Sequence, residues 1–337
     1  MLRYLFTSFS LFLLLGCAAA KAQTFDAYLA TVAQRAQAEG VDPATVRQML
    51  DGLTVNQRVI ELDQAQPGTQ RTPGVFPPVS AYLARHVDEA RINGGKRVFA
   101  QLGPLTAGLE QQYGVPAPIL LAIYGHETAY GRVMGDFDLA RALATLAWEG
   151  RRRALFEEEL IALLKIADKN RYGREQLRGS WAGAFGGPQF LPSIYLRLAT
   201  DGDGDGVANL FTSPADTLAS IANYLRDAGW RRGQPWGVRA SIDPGFDWRT
   251  VETRLNAPVC PRVHDRHSGW RTVAEWRAVG VRPQGVIGDD VLASLFQPDG
   301  PGTPAYLLTG NYRAILEYNC SNYYAMSVGL LADAIAR

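Results

Sequence analysis

The chain is poor in the groups that carry most thiol and metal chemistry, with three cysteines and four histidines among 337 residues. The histidines, His86, His126, His264 and His267, form no ligand array by spacing. His126-Glu127 opens like a zinc-protease helix, but Tyr130 stands where the second histidine is needed, so that chemistry is excluded. There is no Lys/Arg-rich run and the formal net charge is +1, which removes the electrostatic footprint of a nucleic-acid binder. A nucleophile elbow, a P-loop and a dinucleotide fingerprint are also missing. What remains is ordinary globular material, 47% hydrophobic and 20% charged. It is enough for one large domain or two small ones, with a core that needs no staples.

The first 22 residues differ from the rest. Arg3 is the lone charge before Lys21, and Phe6 to Leu15 is mostly apolar. This is a secretory signal whose apolar part is too short to span a bilayer as a stable helix. Two processing sites compete. Leu14-Leu15-Gly16-Cys17 resembles a bacterial lipobox that would leave Cys17 acylated, and Ala20-Lys21-Ala22 fits ordinary cleavage before Gln23. The lipobox is favoured, since a cysteine directly after glycine has no other use there. The expected compartment is the periplasm, with Cys17 as an anchor to the outer membrane. Export implies oxidising conditions, and two cysteines remain after Cys17. They predict one disulfide, Cys260–Cys320, against the alternative of two separate buried thiols.

Periodicity predicts helices over Phe25 to Leu53, broken at Gly40 to Pro43, where Asp42 is an N-cap and Pro43 a first helical residue. Gln66 to Pro78 reads as a loop. Helical pattern returns from Val79 to Tyr113 with a break at Gly103-Pro104, then at Ala117–Tyr130, Asp138–Trp148, Arg153–Ala167 and Pro214–Asp227. Beyond Trp230 short strands are expected at Trp236–Ile242, Ala293–Gln297, Ala305–Thr309 and Tyr312–Tyr318, with a helix at Val273–Val279. Tyr323 to Ile335 is helical again. The fold class is α+β, mainly α, with a β-containing insertion at about 231–317 in a unit covering 23–337.

Three segments carry chemistry. Glu127 ends the apolar run Ile119 to Thr128, and a carboxyl group among apolar neighbours is pushed toward its neutral form. Such an acid can protonate a glycosidic oxygen. The bland alternative is a solvated glutamate or one paired with Arg132. Gly179 to Ser193 is a Gly-rich stretch where backbone can lie close to a flat ligand. Ser180 and Gln189 offer it neutral hydrogen bonds, and Trp181, Phe185 and Phe190 offer faces for sugars; a helix-packing loop is the alternative. Asp201-Gly202-Asp203-Gly204-Asp205-Gly206-Val207 matches the first part of a calcium loop, with Val207 giving its carbonyl. Position twelve is Thr212 instead of an acid, so the alternative is a metal-free acidic turn.

The Glu127 segment with Gly131-Arg132-Val133-Met134-Gly135, the Gly179–Ser193 stretch, Ala222-Asn223-Tyr224-Leu225 with Gly229-Trp230, and Tyr318 to Met326 occur together in one order. Together they resemble the lytic murein transglycosylase B family over nearly all of residues 25–337. The resemblance implies a lysozyme-like helical core with a small β subdomain and a long groove. It implies cleavage of the MurNAc-β-1,4-GlcNAc bond of peptidoglycan to give 1,6-anhydro ends, with Glu127 as the single acid/base. Ser180, Gln189, Tyr224, Tyr318, Asn319 and Tyr324 fall on substrate-contacting positions, and Arg152-Arg153 resembles a basic pair near the peptide stem. It supports a structural calcium at Asp201, Asp203, Asp205 and Val207, with Asp216 as a substitute acid. No cofactor is expected for catalysis, no separate peptidoglycan-binding module is expected, and a monomer acting on glycan strands is. A hydrolytic muramidase and a non-catalytic peptidoglycan-binding protein are the competing functions.

Overall fold

The computed structural model describes residues 23–66, 78–251, 259–300 and 302–337. The leader with Cys17, and nearly all of the expected loop from Gln66 to Pro78, lie outside the described residues. The first helices are α1 (Phe25–Ala38), α2 (Pro43–Leu50), α3 (Gln57–Gln64), α4 (Val79–His86), α5 (Glu89–Gln101), α6 (Gly103–Tyr113) and α7 (Ala117–Thr128). Then come β1 (Phe137–Asp138), α8 (Leu139–Glu149), α9 (Arg153–Asn170), β2 (Arg178–Gly179), α10 (Pro192–Leu198) and α11 (Pro214–Asp227). The β region holds β3 (Gly237–Ile242), α12 (Pro261–His264), β4 (Arg271–Thr272), α13 (Val273–Ala278), β5 (Val281–Pro283), β6 (Leu292–Phe296) and β7 (Ala305–Leu308). Two helices finish the chain, α14 (Gly310–Tyr318) and α15 (Asn322–Ala336).

The caps explain several of these boundaries. Asp42 accepts the Ala44 amide at 2.7 Å with Pro43 at the first helical position, as its spacing predicts. Ser213 caps α11 in the same way, and Asp138 caps α8. Helix α3 and helix α10 escape the sequence pattern because each is short and depends on tertiary anchors. The buried Glu159 of α9 accepts both the Ser193 amide at 2.8 Å and its hydroxyl at 2.7 Å, which fixes the start of α10. Residues 312–318 are a helix, not the expected strand. Tyr312, Ile315 and Leu316 have the spacing of one helical face and are buried, and Thr309 caps the turn by accepting the Asn311 amide. The last strand of the sheet therefore ends at Leu308, short of the expected limit near 317.

Two helical cores share one seam. The first gathers α1, α2, α8 and α9 with Phe185, Phe190 and Tyr195. The second gathers α6, α7, α11, α14 and α15. Tyr318 packs against both, so it marks the seam between them. Helix α7 is apolar on every side because it is wrapped by α15, α5, α11 and α6. A small antiparallel sheet of order β4-β6-β7-β3-β5 has its own core around Trp276, Val281, Leu295 and Leu307. Cys260 and Cys320 are joined as a disulfide, with Cα atoms 5.5 Å apart, which ties the β region to the loop between α14 and α15. No helix of the described residues is long and apolar enough to cross a membrane.

Candidate active site

Helix α7 delivers Glu127 to the seam at its C-terminal turn. There the backbone turns sharply, with Ala129 and Tyr130 in the left-handed region. Thr128 is buried and locks this turn to the Gly-rich segment. Its hydroxyl donates to the Gly187 carbonyl at 3.2 Å and accepts the Gly131 amide at 3.0 Å. Gly187 must be glycine for this contact: a Cβ there would sit 2.3 Å from the Thr217 hydroxyl oxygen. Gly135 is constrained more tightly, since its φ is +85° and a Cβ would lie 2.3 Å from the Gly179 carbonyl oxygen.

The side chain of Glu127 is half-buried by surface area, yet its carboxyl group is surrounded by protein. Burial pushes its pKa up to about 7 from the usual carboxylate range. A single opposing influence is the Tyr324 hydroxyl, which donates to Oε1 at 2.6 Å and favours the charged form. Among the described residues no carboxylate or cation shifts it further, and Arg132 forms no ion pair with it. The phenols of Tyr324 and Tyr318 are driven well above their ordinary value by burial and then by the Glu127 charge, so both stay protonated donors.

Around this pair the structure assembles an aromatic wall. Tyr224 and Tyr318 meet edge to face at 4.7 Å between ring centres, and Phe190 packs on both at 5.7 and 6.0 Å. The Tyr318 hydroxyl donates to the Pro188 carbonyl at 2.6 Å, and that of Tyr224 to the Glu317 carbonyl at 2.8 Å. Gln189 has φ +51° and its amide nitrogen donates to the carbonyls of Met134 and Gly186, at 3.2 and 2.9 Å. These bonds hold the side chain across the Gly-rich loop. Ser180 Oγ accepts the Ala184 amide at 3.0 Å, closing the loop's first turn. Asn319 lies exposed at the end of α14, next to Tyr318.

Some sequence expectations change. Phe185 and Phe190 are buried in the first core and offer no face to a sugar, whereas Trp181 is half-exposed. Of the expected basic pair, Arg152 and Arg153, the first is held by an aspartate that also binds its neighbour Arg151. Asp63 of α3, buried at 2% exposure, holds Arg151 at 2.7 Å and also Arg152, while Arg153 turns to the Trp148 carbonyl. Burial of Asp63 opposes its charge, but the two guanidiniums win and lower its pKa. Tyr82 of α4, stacked on His86 at 3.8 Å between ring centres, has its phenol raised by burial, and the Glu127 charge adds to this. Sequence gave no sign of it, because α4 is placed by packing on α15.

In the acidic loop, one carboxylate oxygen each from Asp201, Asp203 and Asp205 lies within 4.8 Å of the others. Gly204 and Gly206, at φ +81° and +96°, make the turn that gathers them. Asp216 is not a further member. Its two oxygens accept the amides of Gly202 and Asn209, at 2.8 and 2.7 Å, so it braces the loop from α11.

The fold and the half-buried acid define a lysozyme-like helical domain built around one carboxyl group. The chain belongs to the transglycosylase SLT domain family, whose model matches residues 24–333. It is similar to membrane-bound lytic murein transglycosylase B of Escherichia coli, at 37% identity over 67% of this chain and 58% of that protein. The chain thus aligns with under two thirds of that relative. Among solved structures it matches SltB3 of Pseudomonas aeruginosa in complex with NAG-anhNAM-pentapeptide, with a TM-score of 0.82 and 36% identity over 93% of this chain and 80% of that one. It also matches the Escherichia coli lytic transglycosylase Slt35 in complex with calcium, with a TM-score of 0.74 and 29% identity over 92% of each chain.

The Tyr324 contact sets a measurable quantity. Tyr324→Phe removes the donor that favours the carboxylate, so the pKa of Glu127 should rise above about 7. Titration of the side-chain carboxyl by carbon NMR checks this, and an unchanged or lower value would show that the hydroxyl does not bond the charged form.

Proposed function

We propose that this protein is a lytic transglycosylase of peptidoglycan, cleaving the MurNAc-β-1,4-GlcNAc bond with Glu127 as its single acid/base. The observation that carries this reading is a buried carboxyl group held by the Tyr324 hydroxyl at 2.6 Å, its pKa raised to about 7 with no second carboxylate acting on it among the described residues. Ordinary glycosidases need two carboxylates, one to donate a proton and one to attack or activate water. One group suffices when the substrate supplies the nucleophile. Protonated Glu127 gives its proton to the bridging oxygen as the C1–O bond breaks and GlcNAc leaves. The resulting carboxylate takes the proton of the muramoyl C6 hydroxyl, whose oxygen then bonds to C1. The ring closes as 1,6-anhydro-MurNAc and Glu127 is protonated again. Attack within one sugar has a high effective molarity, so no activated water is required.

Tyr324 serves the second half of the cycle by stabilising the carboxylate that the first half creates. Ser180, Gln189, Tyr224, Tyr318 and Asn319 line the sugar path, with Trp181 and Tyr82 beside them. The relative SltB3 was solved with a saccharide bearing a pentapeptide, which supports peptidoglycan strands as the partner. The chain acts as a monomer at the periplasmic face of the outer membrane, held there through acylated Cys17; its Escherichia coli relative is described as membrane-bound. The three clustered carboxylates fit a hard cation with oxygen ligands, and the Val207 carbonyl would be a fourth ligand. A calcium ion there would neutralise their mutual repulsion and hold the loop before α11; it takes no part in the reaction.

Digestion of purified sacculi tests the main reading. Wild type should release muropeptides one water lighter than hydrolytic products, and Glu127→Gln should lower release by about 1000-fold or more. Activity should fall as pH rises through about 7, where the acid loses its proton. Products of hydrolytic mass would instead identify a muramidase, and no release by wild type a binding protein. The mass of the mature chain reports on the anchor: a diacylated start at Cys17 is expected, and an unmodified start at Gln23 would refute it. Chelation should lower Tm by a few degrees while activity below the transition persists; an unchanged Tm would leave the loop metal-free.

A further inference from the structure

The turn that follows Glu127 is strained. Ala129 and Tyr130 are successive residues at φ +49° and +63°, and both carry side chains. The left-handed region is unfavourable for such residues, and they persist there only where the surroundings over-determine them. Thr128 holds one side of this turn to the Gly-rich loop. The other side is held by the ring of Tyr130.

That ring lies in a slot lined by glycine. A Cβ on Gly94 of α5 would stand 2.5 Å from Tyr130 Cε2, and one on Gly125 of α7 would stand 2.6 Å from its Cζ. A Cβ on Gly95 would meet the Tyr130 hydroxyl at 2.9 Å and would also run into Ile335 of α15. Gly94 and Gly95 are the buried residues of α5, so glycine makes the covered face of that helix. Adjacent glycines weaken a helix interior, and here the space they leave is taken by Tyr130 and Ile335. The Tyr130 hydroxyl donates to the Arg91 carbonyl at 2.6 Å, and its ring meets Tyr124 edge to face at 5.8 Å.

The ring does not act on the acid by charge. The charged groups facing Tyr130 are Arg91, Arg132 and Asp88, whereas those that share the field of Glu127 are the phenols of Tyr324, Tyr318 and Tyr82. Its influence runs through the backbone. The Tyr130 amide donates to the Tyr124 carbonyl at 3.3 Å and the Ala129 amide to the Gly125 carbonyl at 3.1 Å. The two strained residues therefore close the helical turn that carries Glu127.

Resting on the glycan-cleaving reading above, we propose that Tyr130 is a positioning residue of the active site: seated between Gly94, Gly95 and Gly125, it holds the strained turn that keeps the Glu127 carboxyl group poorly solvated beside Tyr324. Without the ring, the turn relaxes toward ordinary backbone conformations and the carboxyl group gains water. Solvation favours the charged form, so the acid then loses its proton at lower pH and is less able to donate it.

Two variants disturb the slot from different helices. Tyr130→Leu keeps an apolar side chain but leaves much of the slot empty, and Gly94→Ala displaces the ring from α5. Each should lower kcat about 100-fold, the scale of a reacting group slightly misplaced, with KM close to wild type. Each should also move the alkaline limb of the pH profile, and the Glu127 titration read by carbon NMR, to lower pH. Tyr130→Phe keeps the ring and should lose no more than about fivefold, the scale of one hydrogen bond. Gly108→Ala, on an open side of α6, controls for the glycine substitution and should behave as wild type. A lower Tm with kcat per folded molecule and the Glu127 titration unchanged overturns the proposal and leaves a packing role. A raised KM at unchanged kcat overturns it too. Should one variant fail to fold, the other decides by the same readings. Failure of wild type to release anhydro products would sink the glycan-cleaving reading, whereas the titration of Glu127 would still report on the slot.

Discussion

The arrangement depends on keeping one carboxyl group poorly solvated without giving it a counter-ion. A cation beside Glu127 would hold it ionised at neutral pH, and full exposure would do the same. The protein avoids both by placing the residue at the last turn of a helix that is apolar all round, against α15. Tyr324 then supplies one hydrogen bond, which favours the carboxylate form and partly offsets the effect of burial. Much of the surrounding packing serves this balance. Thr128, one residue on, ties the same turn to the Gly-rich loop, so the acid and the sugar path are positioned by a common joint.

That joint explains why so many small residues gather here. Gly135 and Gly179 bring two backbones into contact, and Gly187 lets the loop lie on Thr217 of α11. Each close approach leaves a backbone surface that side chains do not obstruct. The aromatic wall of Tyr224, Tyr318 and Phe190 seals the other side and couples the two helical cores across the seam. The β region is clamped to the same place by the disulfide and by Asn322, which donates to the Val263 carbonyl.

Much of this is legible in sequence because it is local. Helix α11 was expected over Pro214–Asp227 and is found there, since Ser213, Pro214 and a clean apolar stripe act within one segment. The Asp42-Pro43 start of α2 and the sheet strands near 237, 293 and 305 follow from equally local chemistry. The reading of 312–318 as a strand failed for a physical reason. A short apolar stretch with two tyrosines suits either geometry, and only its burial against α15 and α11 selects the helix. Phe185 and Phe190 illustrate a related limit: an aromatic ring beside glycines looks like a ligand platform until its neighbours are known.

The helical character, the position of the acid at the end of an apolar run, the grouping of aspartates in one turn and the family can all be read from the order of residues. Those are properties of neighbours along the chain, and the four matched segments need no coordinates to be recognised. Tertiary structure alone decided that Tyr324, 197 residues away, holds the acid, that Tyr82 shares its field, and that Asp63 holds Arg151 and Arg152. It also decided that Asp216 braces the acidic loop. Solvation and hydrogen bonding depend on distance in space, which packing sets and linear spacing does not.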